Sequence, residues 1–294
     1  MKKLAHYTRL LRVHQWVKNL FIFLPAFFAL KLRDGFVLEQ DILSFIAFSM
    51  LASAVYVFND VFDVEADRLH PIKCKRPLVT KDVTITEGVF LMTFLLIAGL
   101  GLFVFVIKSP VATLIAGFYL VENILYTIKL KHIAILDVVV ISLGFVFRIL
   151  IGGAVTHTVL SHWIILMTFI FALFLALAKR RDDMFNFIET GNKSRKNIQG
   201  YNLDFLNVSI TIMATVVIVC YIMYCTSYEI VARFGNNVYL TSFFVILGIL
   251  RYLQLTFVNQ VSGSPTIILL KNRFLQLVIL GWIISFIAII YIKI

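Results

Sequence analysis

Nine stretches of this chain stay apolar over a length that crosses a bilayer, roughly 17–25 residues. They run over residues 16–32, 42–62, 88–107, 110–128, 133–152, 160–178, 207–227, 237–257 and 274–292. That feature removes most of fold space, because lipid offers no water to satisfy the backbone and only helices or closed barrels can cross it. The runs are continuous in Leu, Ile, Val and Phe and lack the strict alternation of a barrel strand. The expected fold class is therefore an all-α integral membrane protein with nine transmembrane helices. Composition agrees. The chain is 61% hydrophobic and 15% charged, with a mean hydropathy of +0.94, whereas soluble domains average about 45–50% apolar and about 25% charged residues.

Charge orients the helices. Of the 27 Lys and Arg, Arg148 and Arg251 lie inside spans, and Lys31, Arg33, Lys108, Arg233 and Lys293 fall on one side, leaving 20 on the other. Cytoplasmic loops collect Lys and Arg, so the rich side, which holds the N-terminus, is expected inside. The same rule explains the net charge of +11 without nucleic acid. The first stretch, "LFIFLPAFFAL" behind Lys2, Lys3, Arg9 and Arg12, also has the form of a signal peptide, a reading the charge asymmetry weakens. The chain reads as one transmembrane domain, 1–294, whose long inner loops, 63–87 and 179–206, cap a site, since long connections are often functional.

The second span ends in "NDVFDVEAD". At 100° per residue Asp60, Asp63 and Asp67 fall within about 60° of one another on a helix, Asn59 sits beside them and Glu65 points away. Three carboxylates on one stripe repel and need a positive group opposite. A solvated helix end is the plain alternative, but acids at a helix C-terminus oppose the macrodipole. Mg²⁺ against a diphosphate suits them better, because magnesium takes one or two carboxylates, waters and phosphate oxygens. Lys73, Lys75 and Arg76 follow directly. They serve either as positive-inside residues or as phosphate donors.

A second stripe lies in "LALAKRRDDMFN", where Lys179, Asp182, Asp183 and Asn186 share a helix face and Arg181 points elsewhere. Glu122, Tyr126 and Lys129 share a face in the fourth span. Asp137, Gly144 and Arg148 do so in the fifth, with Arg148 about 16 Å deeper. Arg251 lies in the eighth. Ionisable residues within spans usually face a cavity or a partner, and an internal salt bridge such as Glu122 with Arg148 or Arg251 is the structural alternative. The six histidines are scattered and form no metal set, and Cys74, Cys220 and Cys225 have neither metal nor disulfide spacing. No P-loop, dinucleotide fingerprint or Ser-His-Asp set is visible.

With these residues in view, the sequence resembles the UbiA superfamily of intramembrane prenyltransferases, through "NDVFDVEAD" at the end of the second helix. More narrowly it is similar to the decaprenyl-phosphate phosphoribosyltransferase branch, also called decaprenylphosphoryl-5-phosphoribose synthase. That match is carried by "LLRVHQWVKN", "KCKRPL", "LKHIAILDVVVISLGFVFRILIGGAV" and "ALAKRRDD", with "GYNLDFLN" and "SPTIILLKNR" extending it toward the C-terminus. Two departures stand out. Val13 follows Arg12 where the family commonly has Pro, and Asp182 and Asp183 are adjacent where aromatic prenyltransferases space their second carboxylates apart.

The resemblance implies a Mg²⁺-dependent transferase of the bacterial inner (plasma) membrane, active at the cytoplasmic face and serving cell-envelope biosynthesis. It would move phosphoribose from 5-phosphoribosyl-1-diphosphate to a polyprenyl phosphate. Asp60, Asp63 and Asp67 would be the catalytic metal ligands. Lys18, Asn19, Asn59, Lys75, Arg76, Tyr126, Lys129, Asp137, Arg148, Lys179, Asp182, Asp183 and Arg251 would bind substrate. The expected partners are the two substrates and the bilayer, with no nucleic acid; a homo-oligomer is compatible with the sequence. The rival readings are a prenyl transferase acting on an aromatic acceptor and a transporter, which would show internal repeats and broken helices at the midplane.

Overall fold

The structure, a computed structural model, describes residues 2–69, 73–191, 196–260 and 265–292. His70, Lys193, Arg195 and Lys293, used in the readings above, lie outside the described residues. The chain divides into two compact units, Met1–Leu160 and Ser161–Ile294, and the described residues contain helices and no strand.

The first unit opens with α1 (Lys2–Leu10), a 3-10 helix (Val13–Phe23) and α2 (Leu24–Phe28). It continues with α3 (Gly35–Phe62), α4 (Val64–Arg68), α5 (Ile85–Gly101, prolonged as a π-helix over Leu102–Ile107), α6 (Pro110–Ile128) and α7 (Leu136–Val155). Helix starts follow local chemistry. Asp34 accepts from the Phe36 and Val37 amides ahead of α3, and Thr84 with Glu87 closes a capping box on α5. Ser109 followed by Pro110 starts α6. Each device satisfies amides that a helix start leaves bare.

The second unit holds α8 (His162–Thr190), α9 (Leu203–Thr226), α10 (Tyr228–Phe234), α11 (Ser242–Phe257), α12 (Pro265–Lys271) and α13 (Arg273–Ile292). Within it α8 packs on α9, and α11 packs on both α9 and α13.

Seven helices among the described residues are long and apolar enough to cross a membrane, and eight if α12 and α13, bent by 84°, form one span. The expected span 16–32 is not among them. Its residues wind first as a 3-10 helix and then as α2. At about 2.0 Å per residue for the first and about 1.5 Å for the second, Val13–Phe28 still rises about 30 Å. The expected loop at 179–206 begins instead as helix, because α8 runs on to Thr190 and stops only where Gly191 turns left-handed at φ +67°.

Packing in the first unit depends on small residues. With no hydrophobic drive between helices in lipid, close van der Waals approach takes over. Gly99 of α5 lies against α3 so closely that an added Cβ would sit 2.8 Å from Leu51 Cδ2 and 3.0 Å from the Ala47 carbonyl oxygen. At Gly152 of α7 an added Cβ would collide with the Ile22 carbonyl oxygen of the 3-10 helix. Backbone cannot yield as a flexible side chain can. Gly152→Ala should therefore destabilise the unit by about 1–3 kcal/mol, the usual cost of overpacking, seen as a lower melting temperature in detergent. The open position Gly117, with nothing within 4 Å, should tolerate Ala.

Candidate active site

The acidic segment is not one straight helix. α3 ends at Phe62, Asp63 takes φ −95°, ψ 4°, and α4 restarts at Val64. Four-residue hydrogen bonding nevertheless crosses the break, from the Asp63 amide to Asn59 O at 3.0 Å and from the Asp67 amide to Asp63 O at 2.8 Å. The kink thus keeps all three aspartates at one end of α3 while turning Asp63 aside from the other two.

Each carboxylate meets a cation. Arg76 Nη1 donates to Asp60 Oδ1 at 2.8 Å and to Asp67 Oδ2 at 2.5 Å, bridging the pair. Arg12 Nη2 donates to the same Asp60 oxygen at 2.5 Å and lies over the Tyr56 ring, 4.7 Å from its centroid. Lys73 Nζ stands 3.9 Å from Asp67. Lys131 Nζ donates to both oxygens of Asp63, at 2.6 and 2.8 Å. Asp60 and Asp67 are only 3% and 2% exposed, so these ions cannot rely on water. On the other side of α4, Glu65 pairs with Arg68 in solvent.

Hydrophobic anchoring holds the cations in place. The turn that carries Arg76 is pinned by Leu78 and Val83, which pack with Leu10, Val57 and Val64. Arg12 occupies a left-handed backbone (φ 51°) between α1 and the 3-10 helix. The α1 end is tied down where Lys3 donates to Glu87 at 2.7 Å, a hydrogen bond that raises the Lys3 ammonium above its ordinary value. Asn59 accepts from Thr127 of α6 at 3.4 Å, next to the half-buried Tyr126, and Lys75 and Lys129 are exposed.

Arg148 and Asn19 belong to a different place. Arg148 Nε donates to Asn19 Oδ1 at 2.8 Å and Nη1 to Gly144 O at 2.5 Å, and its Cζ lies over the rings of Phe48, Tyr119 and Phe145. Asn19 in turn donates to Ser49. Ser49 is eleven residues before Asp60 in α3, about 16 Å of helical rise. Lys18 is half-buried beside Asn19, and Asp137 is fully buried at the start of α7. The alternative ion pair of Glu122 with an arginine does not form. Glu122 Oε1 is buried with no hydrogen-bond partner.

In the second unit Lys179, Asp182 and Asp183 all ride on α8. Arg180, fully buried, donates to Asp183 at 3.1 Å, and Asn186 donates to Asp182. Arg181 turns away, to Asn207 and the Thr256 carbonyl. Arg251 donates to Gln254 at 2.6 Å.

Asp60, Asp67 and Arg76 are thus brought together, whereas Asp63, expected on the same stripe, is turned by the helix break to Lys131, Asn59 meets Thr127, and Asn19 and Arg148 lie elsewhere. Arg12 and Lys131 entered the sequence reading only as loop charge. The signal available for them was position: both are bases just outside apolar runs, next to "VHQWVKN" and two residues past Lys129.

Residues 19–278 match the UbiA prenyltransferase family. The chain belongs to that family. It is similar to decaprenyl-phosphate phosphoribosyltransferase of Mycobacterium tuberculosis, 31% identical over 289 residues, covering 95% of this chain and 92% of that protein. The enzyme of the same name from Corynebacterium glutamicum is 28% identical, covering 96% and 86%. The fold matches a UbiA homolog from Archaeoglobus fulgidus bound to DMAPP and Mg²⁺, with a TM-score of 0.70 at 18% identity, covering 97% and 98% of the two chains. This UbiA-family transferase is thus an all-helical, multi-pass integral membrane enzyme.

Among the described residues no group of three His, Cys, Asp or Glu is drawn into a metal cluster. Asp60 and Asp67 nevertheless converge on a single nitrogen of Arg76. Two carboxylates facing one positive point are the protein share of the donor set magnesium takes, which waters and phosphate oxygens complete.

Removing one partner of a buried pair strands the other, at roughly 3–5 kcal/mol. Arg76→Met should therefore lower the melting temperature sharply. Adding Asp67→Asn should recover part of the loss, giving a coupling of about 1–3 kcal/mol in a double-mutant cycle. Additive losses would show that the bridge carries no weight.

Proposed function

We propose that this UbiA-family enzyme transfers 5-phosphoribose from 5-phosphoribosyl-1-diphosphate to a polyprenyl phosphate, releasing diphosphate at the cytoplasmic face of a bacterial plasma membrane. The observation that carries this reading is the charge of the cage. Arg12, Lys73, Arg76 and Lys131 meet the three acids Asp60, Asp63 and Asp67, a surplus of cations around carboxylates that already suit a metal. A prenyl diphosphate brings two phosphates, whereas phosphoribosyl diphosphate brings a third that also needs charged donors. Relatives named for this reaction, about 30% identical over nearly the whole chain, support the same assignment.

Asp60 and Asp67, with Asp63 across the helix break, would hold Mg²⁺, which when bound neutralises the departing diphosphate. The chain's own residues do the rest. Arg12 and Arg76, which hold the carboxylates here, would grip phosphate oxygens of the donor, Arg76 with a planar fork. The exposed Lys75 and Lys129 would meet the donor as it arrives from the cytoplasm, with Asn59 and Tyr126 as further contacts. In the second unit Lys179, Asp182 and Asp183 are further candidate contacts. The C1–O bond to diphosphate breaks with its electron pair leaving on the diphosphate, while a lipid phosphate oxygen forms the new bond to C1. That oxygen is already ionised at neutral pH. No general base is required.

The direct test is transfer of label from ³²P-phosphoribosyl diphosphate to extractable lipid, using purified protein, polyprenyl phosphate and Mg²⁺. EDTA should stop the reaction and Mg²⁺ restore it. Asp60→Asn or Asp63→Asn should slow turnover at least about 100-fold, as losing one electrostatic contact to the transition state does. Glu65→Gln, in a surface pair, should stay within about fivefold of wild type. If label never reaches lipid while a prenyl diphosphate and an aromatic acid yield product, the enzyme is a prenyl transferase instead.

A further inference from the structure

Within the second unit, α11 and the start of α13 enclose a groove of about 350 Å³ lined by Leu247, Leu250, Arg251, Gln254 and Phe274. That volume is in the roughly 300–1,000 Å³ range of small-molecule sites. Leu250 and Phe274 are exposed, so the groove opens on an apolar face. Phe274 stands at the corner where α12 and α13 bend by 84°.

Arg251 is the one cation of this groove, and its partners are poor. Nη1 donates to the neutral Gln254 Oε1 at 2.6 Å, Cζ lies 5.4 Å from the centre of the Phe274 ring, and Nε is buried with no partner. Every Asp and Glu of the chain is among the described residues, and none pairs with Arg251. The residue lies six positions before the end of α11 at Phe257, about 9 Å along the helix. A guanidinium at that position in an apolar span is costly unless an anion meets it. Because Nη1 is taken by Gln254 and Nε is buried, Nη2 is the donor left to meet a ligand. A charge-assisted hydrogen bond from that nitrogen suits a phosphate oxygen.

We propose that this groove seats the head of a polyprenyl phosphate, with Arg251 gripping the phosphate and Leu247, Leu250 and Phe274 lining the first isoprene units. The assignment deepens, and rests on, the acceptor named in the proposed function. Two features favour this occupant over a membrane phospholipid. The single arginine lies about two turns inside the helix end, where a monoester on one linear chain can be drawn down but a diacyl headgroup stays at the surface. The groove also has a single cation between apolar walls, matching one phosphate on one chain.

The test is equilibrium binding of tritiated undecaprenyl phosphate to the full-length protein in phosphatidylcholine nanodiscs. Arg251→Ala should weaken binding about tenfold, the loss expected for charge-assisted hydrogen bonds. Arg251→Lys, which keeps the charge on a different head group, should fall between. Leu247→Trp, which fills the groove and leaves the arginine in place, should also weaken it. Phosphatidylglycerol and inorganic phosphate should not displace the label. Binding by Arg251→Ala within twofold of wild type, no effect of Leu247→Trp, or full displacement by phosphatidylglycerol would each overturn the site. Phosphoribosyl transfer measured on the same preparations separates the two claims. Wild-type transfer with Arg251-independent binding sinks only this groove, and Arg251-dependent binding without transfer sinks only the reaction.

Discussion

A carboxylate taken out of water must find a cation or give up its charge, and two carboxylates sharing one guanidinium dictate the end of this protein that matters most. Asp60 and Asp67 are almost completely buried and both lean on Arg76. For that bridge to exist, α3 must break at Asp63 so that α4 can bring Asp67 back beside Asp60. The 73–83 turn must be held by Leu78 and Val83. The left-handed Arg12 must also reach across from the N-terminal segment. Backbone strain at Arg12 and the packing of α1 on this end of the bundle both follow from neutralising a pair of acids inside an apolar protein.

A pair held this way suits an exchange of partners. Were a metal and a phosphorylated donor to bind there, no ion would be left alone, because carboxylates would exchange guanidinium for metal and the arginines carboxylate for phosphate. The desolvation cost is met once, when the protein folds, rather than again at each turnover. Preorganised charge of this kind loses little to reorganisation during reaction. Asp63 has its own lysine, Lys131, so the kink separates two ion clusters that could otherwise collapse into one.

The sequence made the long helices legible because an apolar run is a local property: seven of the nine expected runs are helices long and apolar enough to cross a membrane, and an eighth if α12 and α13 form one span. What it hid was non-local. Arg12 meets Asp60 across 48 positions and Lys131 meets Asp63 across 68, and helical periodicity carries no information over such separations. The acidic stripe was legible as a face, but the face assumed a straight helix, and the break at Asp63 turned one member toward a different cation. The first apolar stretch was misjudged for another reason. Hydropathy reports that residues 16–32 are apolar and is blind to how tightly they wind, while Pro25 and the left-handed Arg12 bound a segment that adopts 3-10 geometry.

The two arginines inside spans show how an intramembrane charge should be judged. Sequence treats them alike, as costly residues that imply a site. Arg148 is 5% exposed, donates to an amide oxygen and a carbonyl, and is covered by three aromatic rings, so its donors and its faces are used up. Its work is to tie α7 to the 3-10 helix at the level where Gly152 lets them touch, and a substrate phosphate would have to dismantle that brace. Arg251 has one neutral partner, one ring and one donor left over beside a groove. Desolvation was charged to both residues, but only in Arg148 has the protein itself returned the cost. In Arg251 that return is still owed, and a bound anion is the chemistry that can supply it.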